Sequence, residues 1–319
     1  IADGYTLFGN QINTTLVYFP TKNIRLQGGV FLWKDFGRPE LNQIQPYFQF
    51  KFKKKDFSLI FGNLEGNLTH GLIEPLFDFE KVMLRPLENG FQAKINKKKF
   101  QADFWADWVT MIYNFSPYRE EINGGLSLNF LLSDKEKVQL SMPVQFTGYH
   151  LGGQIDATDL PVVTSFNGSV GFKLNSVEKE EGFIHQVSFE NHVVLYTDYS
   201  FSFEPLYDNG AGVYLNLMLK SHLGEWQFSY WNGNKYTSPL GGALYSSESK
   251  RIAPEILGEP KRQLLIFRSM NDITLAKGFK LLLRAEPYYD LNNKRFEFNT
   301  GFYLKYNLNF NLATIKNQN

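Results

Sequence analysis

The sequence lacks several features that define common protein classes. It contains no cysteine among its 319 residues, which excludes disulfides and thiolate–metal sites. No window approaches the run of about 20 apolar residues that a transmembrane helix needs, and the longest apolar stretches are short pieces such as residues 264–267. The formal net charge of +1 gives no argument for nucleic-acid binding. Helical membrane proteins, disulfide scaffolds and nucleic-acid-binding proteins are therefore not indicated.

Phenylalanine and tyrosine are abundant, with 30 and 17 copies. Both residues suit pleated surfaces that face apolar surroundings. From Phe296 to Phe310 apolar and polar side chains alternate strictly, and the pattern recurs over 44–52, 100–108, 138–147, 169–175 and 213–220. This period of two predicts strands of ten to sixteen residues, whereas strands of soluble sheets average about five or six.

Tight polar connections alternate along the chain with longer ones. The tight connections lie near 21–23, 53–56, 96–99, 133–136, 178–182, 222–224 and 271–278. The longer ones lie near 35–42, 65–88, 115–121, 150–163, 199–209 and 234–260. This arrangement predicts an all-β fold, a transmembrane antiparallel β-barrel with short periplasmic turns and long extracellular loops. A large soluble β-protein is the alternative, but long Phe-rich sheet edges in water would invite aggregation.

The connections predict about sixteen strands. Fifteen fall between Asn13 and Leu312, and residues 5–9 supply an outward strand before the first tight turn, so that both termini are periplasmic. Fourteen or eighteen strands are the alternatives, because residues 77–85 could form a further strand or part of a folded external loop. The barrel is predicted over residues 1–312, followed by a periplasmic tail over 313–319.

The final strand carries a resemblance to a known class. Gly301, Phe302, Leu304, Tyr306 and Phe310 look like the carboxy-terminal strand that outer-membrane barrels present to their assembly machinery, although residues 311–319 follow the last aromatic. Over its whole length the chain resembles the porin-type outer-membrane β-barrels, with a composition similar to Bacteroidota proteins. The resemblance implies a multi-pass protein of a Gram-negative cell outer membrane, surrounded by outer-membrane lipid and lipopolysaccharide, with outer-membrane proteins as further partners.

The polar faces of the predicted strands would line a lumen, with nine basic candidates against five acidic ones. This excess would favour anionic solutes, unless the charges pair across neighbouring strands, as Arg284 and Glu286 could with Arg295 and Glu297. Inward aromatic side chains, such as Trp105 and Tyr214, could instead stack on sugar rings. The charged lining candidates are Arg25, Lys51, Lys94, Asp103, Asp107, Lys173, Glu190, Lys220, Lys280, Arg284, Glu286, Arg295, Glu297 and Lys305.

Two long connections are too apolar for free surface loops and are expected to constrict the pore or dock a partner. The residues concerned are His70, Leu72, Ile73, Leu76, Phe77, Tyr236, Leu240 and Tyr245. The favoured hypothesis is a porin-like channel for small hydrophilic, anionic or saccharide solutes. The alternative is a non-transporting barrel subunit of a larger outer-membrane complex, which docks partners through its loops and wall.

Catalysis is not expected from the sequence. Of the five histidines, His70 lies in a suggestive loop with Glu74, and His150 could reach the external rim, but no serine motif or paired-acid pattern accompanies them. Asp156, Asp159 and Asp208 lack the ligand spacing of a calcium site. The sequence therefore predicts no enzyme, no metal site and no cofactor.

Overall fold

A computed structural model of the chain describes residues 5–66, 70–153, 155, 157–176, 178, 182–200, 204–249 and 257–313. The strands in chain order are β1 (Gly9–Thr21), β2 (Ile24–Asp35), β3 (Gln43–Lys54), β4 (Phe57–Asn63), β5 (Asn89–Lys97), β6 (Phe100–Thr110), β7 (Glu121–Asp134), β8 (Val138–Leu151), β9 (Val163–Ser176), β10 (Ile184–Asp198), β11 (Asn209–Ser221), β12 (Gly224–Asn234), β13 (Glu248–Ser249), β14 (Leu257–Gly258), β15 (Lys261–Ala276), β16 (Phe279–Asp290) and β17 (Arg295–Tyr306). One short helix, α1, spans Lys81–Leu84, and a 3-10 turn spans Ala243–Tyr245.

Fifteen of these strands form one antiparallel sheet. Each strand pairs with the next along the chain, and only β13 and β14 form a separate small hairpin. The predicted all-β antiparallel architecture is confirmed at this level. Within the described residues no helix is long and apolar enough to cross a membrane.

The predicted sixteenth strand is not formed. Residues 5–8 are irregular, and Gly9 belongs to β1 instead of ending a separate strand. Residues 77–85 contain α1 and no strand. With fifteen strands, β1 and β17 run in the same direction, so the two ends of the described chain lie at opposite ends of the sheet. The described ends, residues 5 and 313, therefore do not fit the expectation of two termini on the tight-turn side, whereas residues 1–4 lie outside the described residues. The tail predicted over 313–319 falls, from residue 314 onward, outside the described residues.

The two faces of the sheet have the reverse of the usual polarity. On β9 the polar side chains Ser165, Asn167 and Ser169 are 2–4% exposed, whereas Val170 and Phe172 are 50% and 56% exposed. In a water-soluble sheet the apolar face is the buried one. Here strict alternation turns the polar side chains toward the interior and leaves the Phe-rich face outside.

The sheet curls around the segment that connects β4 to β5. On β1, Gln11 donates from Nε2 to Met83 O at 3.2 Å, and on β8, Gln145 donates to Gly71 O at 3.0 Å. Glu80 accepts hydrogen bonds from Tyr5, just before β1, and from Asn299 on β17. The Glu80 carboxylate thus contacts both the residues just before the first strand and the last strand, β17.

Two tight turns depend on glycine. Gly224, in the β11–β12 turn, has φ +121°, and Gly278, in the β15–β16 turn, has φ +80°, both in the region that side chains disfavour. A Cβ at Gly224 would also lie 1.8 Å from Asn271 Oδ1 on the neighbouring strand. The turn at 271–278 is shorter than its sequence indicates, because β15 continues to Ala276.

Candidate active site

Two chain segments fill the interior. The first, residues 70–88, is called the inner segment, and the second, residues 235–247, packs against it where Tyr236 Oη donates to Pro75 O at 2.8 Å. The eight residues predicted to constrict or dock all lie inside and are at most 9% exposed: His70, Leu72, Ile73, Leu76, Phe77, Tyr236, Leu240 and Tyr245. Trp105 and Trp231, from the sheet, complete the two apolar clusters that these residues form.

A buried cluster of four charges anchors the inner segment. Glu74 pairs with Arg268 and with Arg284, the latter at 2.7 Å, and Glu286 pairs with both arginines. Tyr245 Oη donates to Glu74 at 3.1 Å. Two positive and two negative charges balance here, which is the arrangement that lets buried charges persist. Burial alone would raise the pKa of Glu74, but the two guanidinium groups hold it below its usual range.

The predicted lining residues lie along the inner face, mostly in contact with opposite charges or polar groups. Arg25 and Lys51 contact Glu65, Lys94 contacts Asp103, Asp107 contacts Arg85, Lys173 contacts Glu190, Lys220 contacts Glu178, Lys280 contacts Asp272, Arg284 contacts Glu286, and Glu297 accepts from Tyr288 Oη; Arg295 and Lys305 are exposed on β17. Glu65, Glu74 and Glu88 from the β4–β5 connection offset the basic excess that the strands alone indicate.

Pairing across neighbouring strands occurs, but not where it was expected. Lys94 lies opposite Asp103, and Lys173 lies opposite Glu190. By contrast, Arg284 lies opposite Gly301 and Glu286 opposite Asn299, so this register separates them from Arg295 and Glu297. The predicted pairing of these four residues is therefore wrong. Arg284 pairs with Glu74 of the inner segment, a partner that could not be inferred from the strands alone.

His70, on the inner segment, forms the first of three imidazole sites. Its Nε2 lies 2.6 Å from Glu88 and its Nδ1 lies 3.3 Å from Asp103, while its ring stacks on Trp105 at a centroid distance of 4.4 Å. Burial lowers the pKa of His70, but the hydrogen bonds to the two carboxylates outweigh it and raise the pKa to about 9. A protonated imidazole held between two carboxylates fixes the inner segment and is a poor general base.

The second imidazole site is a serine–histidine–glutamate set on β9 and β10. His192 Nδ1 lies 3.2 Å from Ser169 Oγ, and His192 Nε2 lies 3.1 Å from Glu190 Oε1. Lys173 Nζ holds the other Glu190 oxygen at 2.6 Å. Nucleophile, base and orienting group are thus all present in hydrogen-bonding order. We call this set the interior triad.

Packing explains how the interior triad forms and also how it is enclosed. His192 lies directly opposite Gly171, where a Cβ would come within 2.8 Å of His192 Nδ1, so only glycine leaves room for the ring. Ser169 is 4% exposed and His192 is 1% exposed. A cavity of about 290 Å³ opens below, toward the tight-turn end, and reaches Lys173 and Ser188 but not Ser169 or His192. Ser169 is thus buried and does not line this cavity.

The third imidazole site lies on the outer face, at the long-loop end of the sheet. His150 on β8 and Thr164 on β9 are directly opposite in register, and His150 Nδ1 lies 2.9 Å from Thr164 Oγ1. The adjacent Tyr149 and Ser165 face inward, so alternation turns His150 and Thr164 outward. We call these two residues the rim pair.

Aromatic side chains flank the rim pair on the same face. Phe146 stacks on Phe166 at 5.5 Å, and Phe166 meets Tyr199 edge-on at 5.6 Å. Phe146 is 43% exposed and Tyr199 is 61% exposed. Gly148, between Phe146 and His150, lies against the Phe166 ring. A Cβ at this position would come within 3.2 Å of a ring carbon of Phe166. The rim pair therefore stands at the upper edge of an exposed aromatic surface.

Arg119 ties together the two strand ends that carry the rim pair. Its guanidinium donates to Leu151 O at 3.0 Å, one residue beyond His150, and to Pro161 O, just ahead of β9. Thr164 is fixed further because its backbone N–H donates to Ser200 Oγ at 3.0 Å. The His150 imidazole is thus accompanied by the Arg119 guanidinium and by the hydroxyl of Thr164, whose backbone is held in place.

The sequence singled out His70 and His150 but missed their partners. Thr164, Ser169 and Arg119 carry no sequence motif, because a cross-strand contact depends on register, which the connecting loop sets. A signal for the interior triad did exist: Glu190 and His192 are two residues apart and so share a strand face. Within the described residues no group of three or more His, Cys, Asp or Glu is arranged to hold a metal ion.

A family model described as lipid A 3'-O-deacylase-type matches residues 1–315. Among curated proteins no sequence matches the chain. The family match covers every strand of the sheet, and it overturns three expectations: the resemblance to porins, the channel or accessory-subunit function, and the absence of enzyme activity. The filled interior gives the physical reason, since a polar strand face predicts a wet lumen only if no other segment occupies it. The chain belongs to the lipid A 3'-O-deacylase-type family.

Proposed function

We propose that this chain is an outer-membrane hydrolase that removes an ester-linked acyl chain from lipid A, and that the rim pair is its catalytic site. In this proposal the curled sheet closes as a barrel across the membrane, with its long loops toward the outer leaflet. The reversed polarity of the sheet supports insertion, because only a lipid-facing wall stabilises so many exposed Phe side chains. Family membership supports the substrate.

The observation that carries the site assignment is the position of the His150–Thr164 contact on the outer face. The acyl esters of a membrane lipid lie outside the barrel, near the boundary between hydrocarbon and head group. In this proposal the rim pair lies at that height on the lipid-facing side, which is supported by the exposed aromatic side chains beside it, of the kind that mark membrane interfaces. The interior triad is chemically more complete but is enclosed.

The proposed mechanism uses His150 as general base. With Nδ1–H donated to Thr164 Oγ1, Nε2 is left with its lone pair and accepts a proton from water as that water attacks the ester carbonyl carbon. The tetrahedral intermediate then breaks its bond to the sugar oxygen, which takes the proton back from Nε2. The products are a free fatty acid and lipid A with one more hydroxyl. Arg119 supplies positive charge close to the anionic head group.

The test is fatty-acid release from purified lipid A by the protein in mixed micelles, followed by mass spectrometry of both products. We expect the wild type to release one acyl chain and His150→Gln to release almost none. The matched control is His192→Gln, which removes the imidazole of the interior triad and should remain active. Failure of the wild type to release acyl chains would refute the function. Equal release by wild type and His150→Gln would refute only the site.

A further inference from the structure

Three successive tight turns carry a concentration of lysine. The β3–β4 turn has lysines at 53–55, the β5–β6 turn has lysines at 97–99, and the β7–β8 turn has Lys135 and Lys137, which makes eight. The same turns carry three acidic residues: Asp56, Asp134 and Glu136. All eight lysines are exposed, and Lys98, which pairs with Asp134 at 3.0 Å, still has 81% of its side chain exposed. We call these eight residues the basic arc.

The basic arc is continuous in space because its strands are neighbours. β3 through β8 pair in unbroken order, so the three turns stand side by side at one end of the sheet. Strands about 4.8 Å apart place the eight lysines along roughly 24 Å of rim. The β11–β12 turn, farther round, has His222 and Leu223 but no lysine. The β1–β2 and β15–β16 turns each have one lysine, Lys22 and Lys277, so the lysines of the tight-turn end are concentrated in the three turns of the basic arc.

Directly above the basic arc the outer wall is apolar. Phe57 is 40% exposed, Leu132 is 52% exposed, and Val138 is 37% exposed. Phe100 and Phe130 pack against each other at a centroid distance of 5.1 Å on adjacent strands. Lysines that follow immediately after a lipid-facing surface stand at the level of the head groups, where their long side chains reach phosphate. A soluble acidic partner would not need this apolar surface above the charges.

We propose that the basic arc binds anionic phospholipid head groups of the leaflet at the tight-turn end. This inference goes beyond lipid A hydrolysis: it concerns the opposite end of the sheet and the other leaflet. It depends on the membrane insertion proposed above but not on catalysis at the rim pair. The bound lipids fix the depth and orientation of β3 to β8, so the long-loop end of β8 is held at the height that its reaction needs.

The test measures lipid selectivity directly. The full-length protein is reconstituted in phosphatidylcholine vesicles, and the association of spin-labelled phosphatidylglycerol is compared with that of spin-labelled phosphatidylcholine. We expect wild type to prefer the anionic lipid several-fold, with a preference that weakens as salt is added. Replacing Lys53, Lys54, Lys97 and Lys99 with Gln should bring the ratio close to one.

The matched control replaces four lysines of the long-loop end, Lys34, Lys235, Lys261 and Lys294, with Gln. It removes the same charge and should keep the preference for phosphatidylglycerol. Circular dichroism and heat-dependent gel mobility confirm that both variants are folded before selectivity is compared. Unchanged selectivity in the first variant, or its loss in the second, would overturn the proposal. Fatty-acid release is measured separately, and its absence would bear on the hydrolase function alone.

Discussion

The interior triad and the rim pair place an imidazole beside a hydroxyl on neighbouring strands, but they face opposite sides of one sheet. His192 has both a hydroxyl and a carboxylate partner and is 1% exposed. His150 has Thr164 as its partner and stands above an exposed aromatic surface. The difference shows that hydrogen-bonding order alone does not identify a catalytic site, because a buried polar face must satisfy its own side chains. Our proposal favours the rim pair because it is the more accessible of the two.

The largest expected effect is on kcat, and it distinguishes the rim pair from the interior triad. His150→Gln should lower kcat for fatty-acid release from lipid A about 10²- to 10⁴-fold, since general-base catalysis contributes on this scale. Ser169→Ala should change kcat by less than threefold, because Ser169 does not meet the substrate in our assignment. Initial rates at saturating lipid A in mixed micelles measure both. A large loss of kcat in Ser169→Ala with full activity in His150→Gln would mean that the interior triad is the catalytic site and that the rim pair is not.

The next largest effect is the contribution of the buried His70 to the free energy of unfolding, which depends on pH. Because the pKa of His70 in the folded protein is about 9, above the ordinary 6.5, its stabilisation is complete below pH 6.5 and is lost as the pH rises through about 9. The difference in unfolding free energy between wild type and His70→Gln should therefore shrink by about 3 kcal/mol over this range.

Urea unfolding in detergent micelles from pH 6 to pH 10 measures that difference. Lys81, whose pKa burial lowers to about 8, titrates in both proteins and cancels in the comparison. A gap between the two proteins that stays constant with pH would show that His70 is not held protonated by Glu88 and Asp103.

A smaller loss of stability is expected at the interior triad. Glu190→Gln keeps the side-chain shape but removes the charge that Lys173 and His192 share, and should cost about 2 kcal/mol, the scale for hydrogen bonds to charged groups. The melting temperature should fall while kcat at matched temperature stays within threefold. Unchanged stability together with lost activity would mean that the triad is catalytic and not structural.

The smallest effect concerns Thr164 as a positioning residue. Thr164→Val removes the hydroxyl that orients His150 and should lower kcat about tenfold, equivalent to about 1.4 kcal/mol, with KM little changed. Thr164→Ser should restore most of the activity because it keeps the hydroxyl. A loss as large as that of His150→Gln would indicate that Thr164 is itself the nucleophile.

Most of the fold could be predicted from alternation. Period two identifies strands and their faces because a one-residue slip would put every Phe on the polar side, and β17 begins at Arg295 as the pattern indicates. The errors fall where no periodic signal exists. Residues 5–8 pair with no strand, and β15 continues through Asn271 and Asp272, which resemble turn residues but lie in an extended hairpin arm.

The site was less predictable, for a physical reason. The apolar content of residues 71–77 correctly marked a segment that needs a buried surface, but its partners could not be inferred, because Glu74 meets Arg268 across 194 positions of sequence. Thr164 meets His150 only through the register that follows the loop at 152–162. Local composition predicts which residues need a partner, whereas register and loop closure determine which partner they find.

The odd strand number determines what a cell-surface assay would detect. Since β1 and β17 run in the same direction, a reporter peptide joined near residue 5 and one joined near residue 313 would sit in different compartments once the sheet crosses a membrane. Protease added to intact cells would then cleave the first reporter and spare the second. A sheet with one more strand would place both reporters on the same side, where protease would cleave both or neither.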